Sequence, residues 1–189
     1  MKRPFLALPA LCLALAAIHG PAHAQQSGRG GQKPAAPASV PGGGQATLVA
    51  TFNDWSAYTA QTGKSKICYA LSQPKSRSPA NLKDTPAYLF VSFRPAENVR
   101  NEVATVLGFD TKESGPAEAS IGGTSYSLVT KGKNAWMKNQ SEEPQAIANM
   151  SKAQNVVVSA TSARGNKTGD RYSLAGFAQA LDRARKECP

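Results

Sequence analysis

The sequence predicts a mainly β chain: an antiparallel β-sandwich with a short helix and a C-terminal helix added. From Thr47 onward, short runs of alternating apolar and polar residues recur at intervals of roughly 8 to 12 residues, the spacing of an all-β domain. Only two stretches, both late in the chain, shift to the three-to-four-residue apolar spacing of an amphipathic helix. A closed barrel is the alternative architecture for the same strand pattern.

The elements follow in order. "TLVATFNDWSAYT" places Val49 and Phe52 to Tyr58 in extended segments broken near Asn53 and Asp54. "SKICYALSQP" alternates, with Ile67, Tyr69 and Leu71 on one face, Cys68 and Ala70 on the other, and a stop at Pro74. "AYLFVSFRP" is an aromatic and β-branched strand ended by Pro95, and "NEVATVLGF" follows with Val103 and Thr105 on one side. "AEASIGGTSYSLVT" reads as a hairpin turning at Gly122 and Gly123, with "NAWMK" a further short strand. "SEEPQAIANMSKA" is the short helix, with Ser141 as its cap, two glutamates in its first turn, and Ile147 and Met150 on one face. Val156 to Thr161 is a strand, Gly165 to Asp170 its turn, and Tyr172 to Leu174 its return. The closing helix sets Phe177, Leu181, Ala184 and Cys188 in a single stripe.

Two segments precede this domain. Residues 1–24, "MKRPFLALPALCLALAAIHGPAHA", have the charged start, apolar middle and small-x-small end of a secretory signal, with cleavage expected after Ala24. The apolar run is shorter than the ~20 residues that a spanning helix needs. Residues 25–46 are rich in Gly, Pro, Ala and Gln and hold no Leu, Ile or Phe, so this segment cannot offset its own ordering entropy and reads as a tether. Residues 47–189 form the folded domain. An exported protein is expected in the periplasm, at the outer membrane or outside the cell.

The leader carries away chemistry. Both histidines, His19 and His23, lie in it, so the mature chain has no imidazole to act as base, metal ligand or pH switch. Ser-His-Asp hydrolases and histidine-ligated zinc enzymes are excluded; no cofactor and no metal are expected. Two cysteines remain, Cys68 and Cys188, and an isolated pair in an exported protein reads as one disulfide, stabilising by about 4 to 5 kcal/mol as an upper figure. Loss of Lys2 and Arg3 lowers the net charge only from +10 to +8. Such a domain is drawn to anionic surfaces such as lipopolysaccharide or acidic glycans, and to peripheral membrane association; no block of basic residues marks a nucleic-acid binder.

Local motifs add little chemistry. "SARGNKTGDRYSLAGF" holds only a scrambled end of a phosphate-binding loop, and turn chemistry accounts for its Gly and Asn; Arg164, Lys167 and Arg171 are then an exposed basic tip and the candidate contacts for an anion or partner. "SQPK", Ser72 to Lys75, has the spacing of a lysine-activated serine, but Pro74 and the preceding strand argue against the helical turn this requires. Glu97, Glu102 and Asp110 lack the paired placement of glycosidase carboxylates. No catalytic residue is assigned and the chain is not expected to be an enzyme.

Taken together, "NDWSAY", "CYALSQPK", "RPAENVRNEV", "SARGNKTGDRYSLAGFAQAL" and the final Cys188 resemble the invasion-associated locus B proteins of proteobacteria, over about Phe52 to Cys188. The resemblance implies an immunoglobulin-like β-sandwich in the periplasm or outer membrane, without catalytic residues. It also implies a link, in pathogens, to invasion of host cells and erythrocytes in particular. The partner expected on these grounds is an envelope or host-surface protein, or alternatively an anionic glycan.

Overall fold

A computed structural model describes residues 44–189 apart from Lys64. The leader (1–24) and all but the last three residues of the tether lie outside the described residues. Strand β1 spans Ala46–Phe52, β2 Trp55–Thr62, β3 Ser65–Ser72, β4 Ser76–Ser78, β5 Tyr88–Arg94 and β6 Val99–Val106. They are followed by β7 at Glu118–Ile121, β8 at Thr124–Lys131, β9 at Asn134–Met137, helix α1 at Glu143–Met150, β10 at Asn155–Thr161, β11 at Lys167–Ser173 and helix α2 at Phe177–Glu187.

The protein is mainly β, with two helices, as the sequence predicts. All pairings are antiparallel, in the order β1-β2-β3-β5-β6-β9-β8-β7-β10-β11-β4. One strand is shared between the two halves. Thr124–Ser127 of β8 pair with β7, whereas Leu128–Lys131 pair with β9, so the sheet changes direction within β8. Trp55, Cys68, Val91 and Val103 from one half join Ala119, Ile121, Val158 and Tyr172 from the other in a single buried cluster. The sandwich is thus one sheet folded over its own core. Its end strands, β1 and β4, do not pair, so it is not a closed barrel.

The structure departs from the sequence reading at three places. The return strand β11 begins at Lys167, and the turn is correspondingly tighter, with Gly165 at φ 83° and its N–H donating to the Ser162 carbonyl (2.8 Å). Ser141 does not cap α1; it sits in a short 3-10 turn, where its N–H donates to the Asn139 side chain (3.2 Å), and the α-helix starts at Glu143–Pro144. Proline at the first turn suits a helix start because the N–H it lacks would be unpaired there. The third is an element the sequence did not suggest, the three-residue strand β4.

Apolar burial does not hold β4 in place. Arg77 at its centre has a side chain only 3% exposed, and its Nε and Nη2 donate to the two carboxylate oxygens of Asp170, both at 2.8 Å. The remaining donors reach the carbonyls of Thr85 (2.6 Å) and Leu107 (2.8 Å). Asp170 is itself 1% exposed; burial pushes its pKa up while the guanidinium pulls it down, burial being the larger influence. The β11 alternation explains its place, since Thr168, Asp170 and Tyr172 all point inward.

Removing one partner of such a pair strands the other charge. Arg77→Met is expected to destabilise the domain by about 3 to 5 kcal/mol, read as a shift of the denaturant midpoint. The double variant Arg77→Met with Asp170→Leu should recover most of that loss, which a purely steric account of Arg77 would not give.

Candidate functional site

Nothing in the described residues gathers the groups of a catalytic or metal centre. No cluster of three His, Cys, Asp or Glu residues is placed to hold a metal ion among them. Ser72 and Lys75 do not act on one another: the fully buried Ser72 hydroxyl donates to the Asp54 carbonyl (2.7 Å), and the Lys75 ammonium pairs with the Asp54 carboxylate. That salt link, together with burial-opposing hydrogen bonds from Lys75 and Ser173, leaves the Asp54 carboxyl below its ordinary pKa although partial burial works the other way.

The three basic residues singled out in the sequence share a hairpin but not a site. Arg164 lies in the turn, beside a small cleft that also takes in Asp110 and Lys133. Lys167 opens β11, and Arg171 follows on the same outward face roughly 13 Å along the strand. Arg171 donates to the Asn155 side chain on β10, and of the three only Lys167 reaches a wide cleft beside the hairpin.

That cleft is a groove of about 1170 Å³, and the fork in the sheet creates it. β7 pairs with β8 no further than Glu118–Ser127, and with β10 no further than Glu118–Ser159. Beyond these points Leu128–Lys131 and Ser159–Thr161 diverge and become two walls, with residues 111–118 running between them. Thr111 and Lys112 tie that segment down, their N–H groups donating to the carbonyls of Gly132 and Thr161 (both 2.9 Å). Lys131, Lys138 and Lys167 face the groove alongside Glu113 and Glu118, among serine and threonine hydroxyls. Val129, the one exposed large hydrophobic among the described residues at 44%, lines it too. Val129 and Lys138 are shared with a second cleft of about 630 Å³, where they meet Trp136, Glu102 and Glu143. Burial raises the Glu143 carboxyl pKa, partly offset by the Val103 N–H that donates to it (3.1 Å). Glu102 is held by a two-pronged bond from Arg94 (both 2.9 Å), and these bonds raise the Arg94 pKa.

Lys131, Lys138 and Val129 were invisible to sequence reading, because Val129 and Lys131 sit on β8, whose change of partner creates the surface, and Lys138 follows the end of β9, the strand paired with it. Alternation along β8 says which side chains face outward but not where the neighbouring strand stops.

Comparison with known proteins bears on this geometry. The family model described as invasion associated locus B (IalB) protein matches residues 55–185. The chain belongs to the IalB family. The crystal structure of invasion associated protein B from Bartonella henselae is similar, at 15% identity and a TM-score of 0.55, over 75% of this chain and 97% of that one. A likeness so remote in sequence speaks for the shared fold. A search of curated proteins gives no match.

Parts of several segments that carry the IalB resemblance meet at one corner of the domain. Trp55 packs edge-on against Phe177 with ring centroids 4.8 Å apart, and its indole N–H donates to the Ser173 carbonyl (2.8 Å). The Asp54 N–H donates to the Ala175 carbonyl (3.2 Å). Gly176, at φ 89°, passes so close to β1 that a Cβ there would lie 1.9 Å from the Phe52 carbonyl oxygen. Cys188, just past the end of α2, is bonded to Cys68 on β3, with Cα atoms 5.9 Å apart. These contacts fasten α2 over the sheet, while Lys167 and Thr168 of the same long motif line the groove.

Opening this bond in the folded domain is expected to weaken the latch. The variant Cys188→Ala should lose about 2 to 5 kcal/mol of stability, with hydrogen exchange rising first along α2; exchange rising uniformly over the whole domain would contradict a local latch.

Proposed function

We propose that this IalB-family protein is an exported, non-enzymatic envelope protein that binds a partner at the cell surface, serving adhesion or invasion of host cells where its bacterium has a host. The observation that carries this reading is the groove at the β8 fork. It offers hydroxyls, ammonium groups and an exposed valine, which suit recognition, and no pair of residues arranged as nucleophile and base. Among the described residues no helix is long and apolar enough to cross a membrane. The leader read from residues 1–24 supports export to the periplasm or beyond.

Lys131, Lys138 and Lys167 favour a second reading within the same surface: an anionic polymer such as lipopolysaccharide or an acidic glycan lying along the groove. Charge attraction of this kind is screened by salt, whereas protein recognition centred on Val129 and Trp136 is much less so.

Binding of the purified protein to host erythrocytes, envelope fractions and an immobilised acidic glycan separates the two. With the glycan as partner, affinity should fall roughly tenfold or more between 50 and 200 mM salt, and the variant Lys131→Glu, Lys138→Glu, Lys167→Glu should abolish it. With a protein partner, Val129→Asp should abolish binding and salt should change it little. Retention of full binding by both variants would remove the groove from the function.

A further inference from the structure

Beside the Arg77–Asp170 pair, backbone hydrogen bonds stitch three loops together. The chain leaving β6 donates from Leu107 to the Lys133 carbonyl (2.8 Å) and from Thr111 to the Gly132 carbonyl (2.9 Å), both in the turn between β8 and β9. The turn between β10 and β11 donates to that chain in its turn, from the Ala163 N–H to the Asp110 carbonyl (2.7 Å). Glycine keeps both turns tight, with Gly132 at φ 57° and Gly165 at φ 83°. Asp110, Lys133 and Arg164, one from each loop, are thereby held around a cleft of about 370 Å³.

Pro79, Leu82 and Phe109 give the cleft an apolar lining. The buried Arg77 steadies it: its guanidinium stands over the Phe109 ring, 5.9 Å from the centroid, and its Nη1 donates to the Thr85 carbonyl just after Leu82 (2.6 Å). Elsewhere in the domain Asp54, Glu102, Asp170, Asp182 and Glu187 each pair with a lysine or arginine. Asp110 pairs with neither Lys133 nor Arg164, although all three line one cleft, and none of these three side chains makes an ion pair or hydrogen bond among the described residues. The loops are held by their backbones, so both signs of charge are left open over an apolar floor.

We propose that this cleft binds a small zwitterion, an α-amino acid with an apolar side chain. Arg164 and Lys133 take its carboxylate, Asp110 takes its ammonium group, and its side chain lies against Phe109, Leu82 and Pro79. A plain anion is repelled by Asp110 and a plain cation by the other two, whereas a ligand carrying both charges meets all three with opposite sign. The guanidinium fork suits a carboxylate in particular. A volume near the lower end of the roughly 300 to 1,000 Å³ of small-molecule sites fits a single amino acid better than a polymer, and loops already fixed by their backbones have little order left to lose on binding. The site is separate from the groove at the β8 fork. Only Thr168 lines both, and its hydroxyl is engaged by the Ala160 carbonyl (3.1 Å).

The test titrates the full-length chain, labelled with ¹⁵N, with free L-leucine. The amide signals of Asp110, Lys133 and Arg164 should shift and saturate; no saturation up to ~10 mM overturns the proposal. N-acetyl-leucine lacks the ammonium group and leucine amide lacks the carboxylate, so each should bind roughly tenfold more weakly or worse. Equal binding of N-acetyl-leucine would make the cleft an anion site, equal binding of leucine amide a cation site, and either result overturns the proposal. Asp110→Asn should weaken leucine but not N-acetyl-leucine, and Arg164→Gln should weaken leucine but not leucine amide. Both residues are exposed, and an unchanged melting midpoint shows that each variant is folded. Leucine binding that neither variant alters overturns the assignment. Val129→Asp, which tests the groove, should leave leucine binding as it is; a loss there places the amino acid in the groove and overturns the assignment too.

Discussion

The fork of the Arg77 guanidinium around the Asp170 carboxylate is the constraint on which this end of the sheet depends. Strand β4 has three residues, its two serines are exposed, and it has no side chain to contribute to either apolar cluster. Five donors in one rigid plane substitute for a hydrophobic contact. They tie β4 to the loop that follows it, to the chain leaving β6 and to the middle of β11. Two buried ions cost several kcal/mol each in desolvation, so the pair is weak evidence for stability as such. Its contribution is register: Asp170 stands opposite Arg77 in the ladder, and a one-residue slip would turn the carboxylate to solvent. The buried Tyr172 hydroxyl next along the same face, its pKa pushed up chiefly by burial, inherits its position from that register.

A second constraint acts from the other side of the core. The disulfide to Cys68, the Trp55–Phe177 contact and the close pass of Gly176 against Phe52 fix α2 across β1, β2 and β3. These are short-range, covalent or steric, and require particular residues, which is why they coincide with the segments that carry the family resemblance. A bond of this kind closes a long loop, which constrains the unfolded chain of a domain of this size.

These two constraints also explain what could be read from the chain alone. Strands β2, β3, β5, β6 and β10 follow from alternation or apolar runs, and α2 from a single stripe ending in Cys188, because in each case the signal lies within one short segment; the cysteine pairing follows from there being only two cysteines after the leader. The Arg77–Asp170 pair joins residues 93 apart, and neither neighbourhood is unusual on its own. Asp170 did leave a trace, since alternation puts it between Thr168 and Tyr172 on an inward face, where an acid needs a cation. The turn before β11 was drawn too long because glycine and asparagine suggest turns at every position of "GNKTGD", while the ladder with β10 extends to Thr161–Lys167 and takes Lys167 to Asp170 into the strand. The groove left no trace at all, being produced by where pairing ends.

The doubly apolar strands and the fork have a common origin in how this sheet is used. A sheet folded over itself buries one face of every strand, and a core containing Trp55, Tyr172 and Phe177 is satisfied by that face alone. The outward aromatic set on β2, β3 and β5 is therefore surplus to closing the sandwich and packs into a second buried cluster. At the fork the opposite holds: backbone and hydroxyls are left open, with lysines and one valine among them. The interior of the protein is committed to packing and to the Arg77–Asp170 pair, and polar groups are left open at the fork.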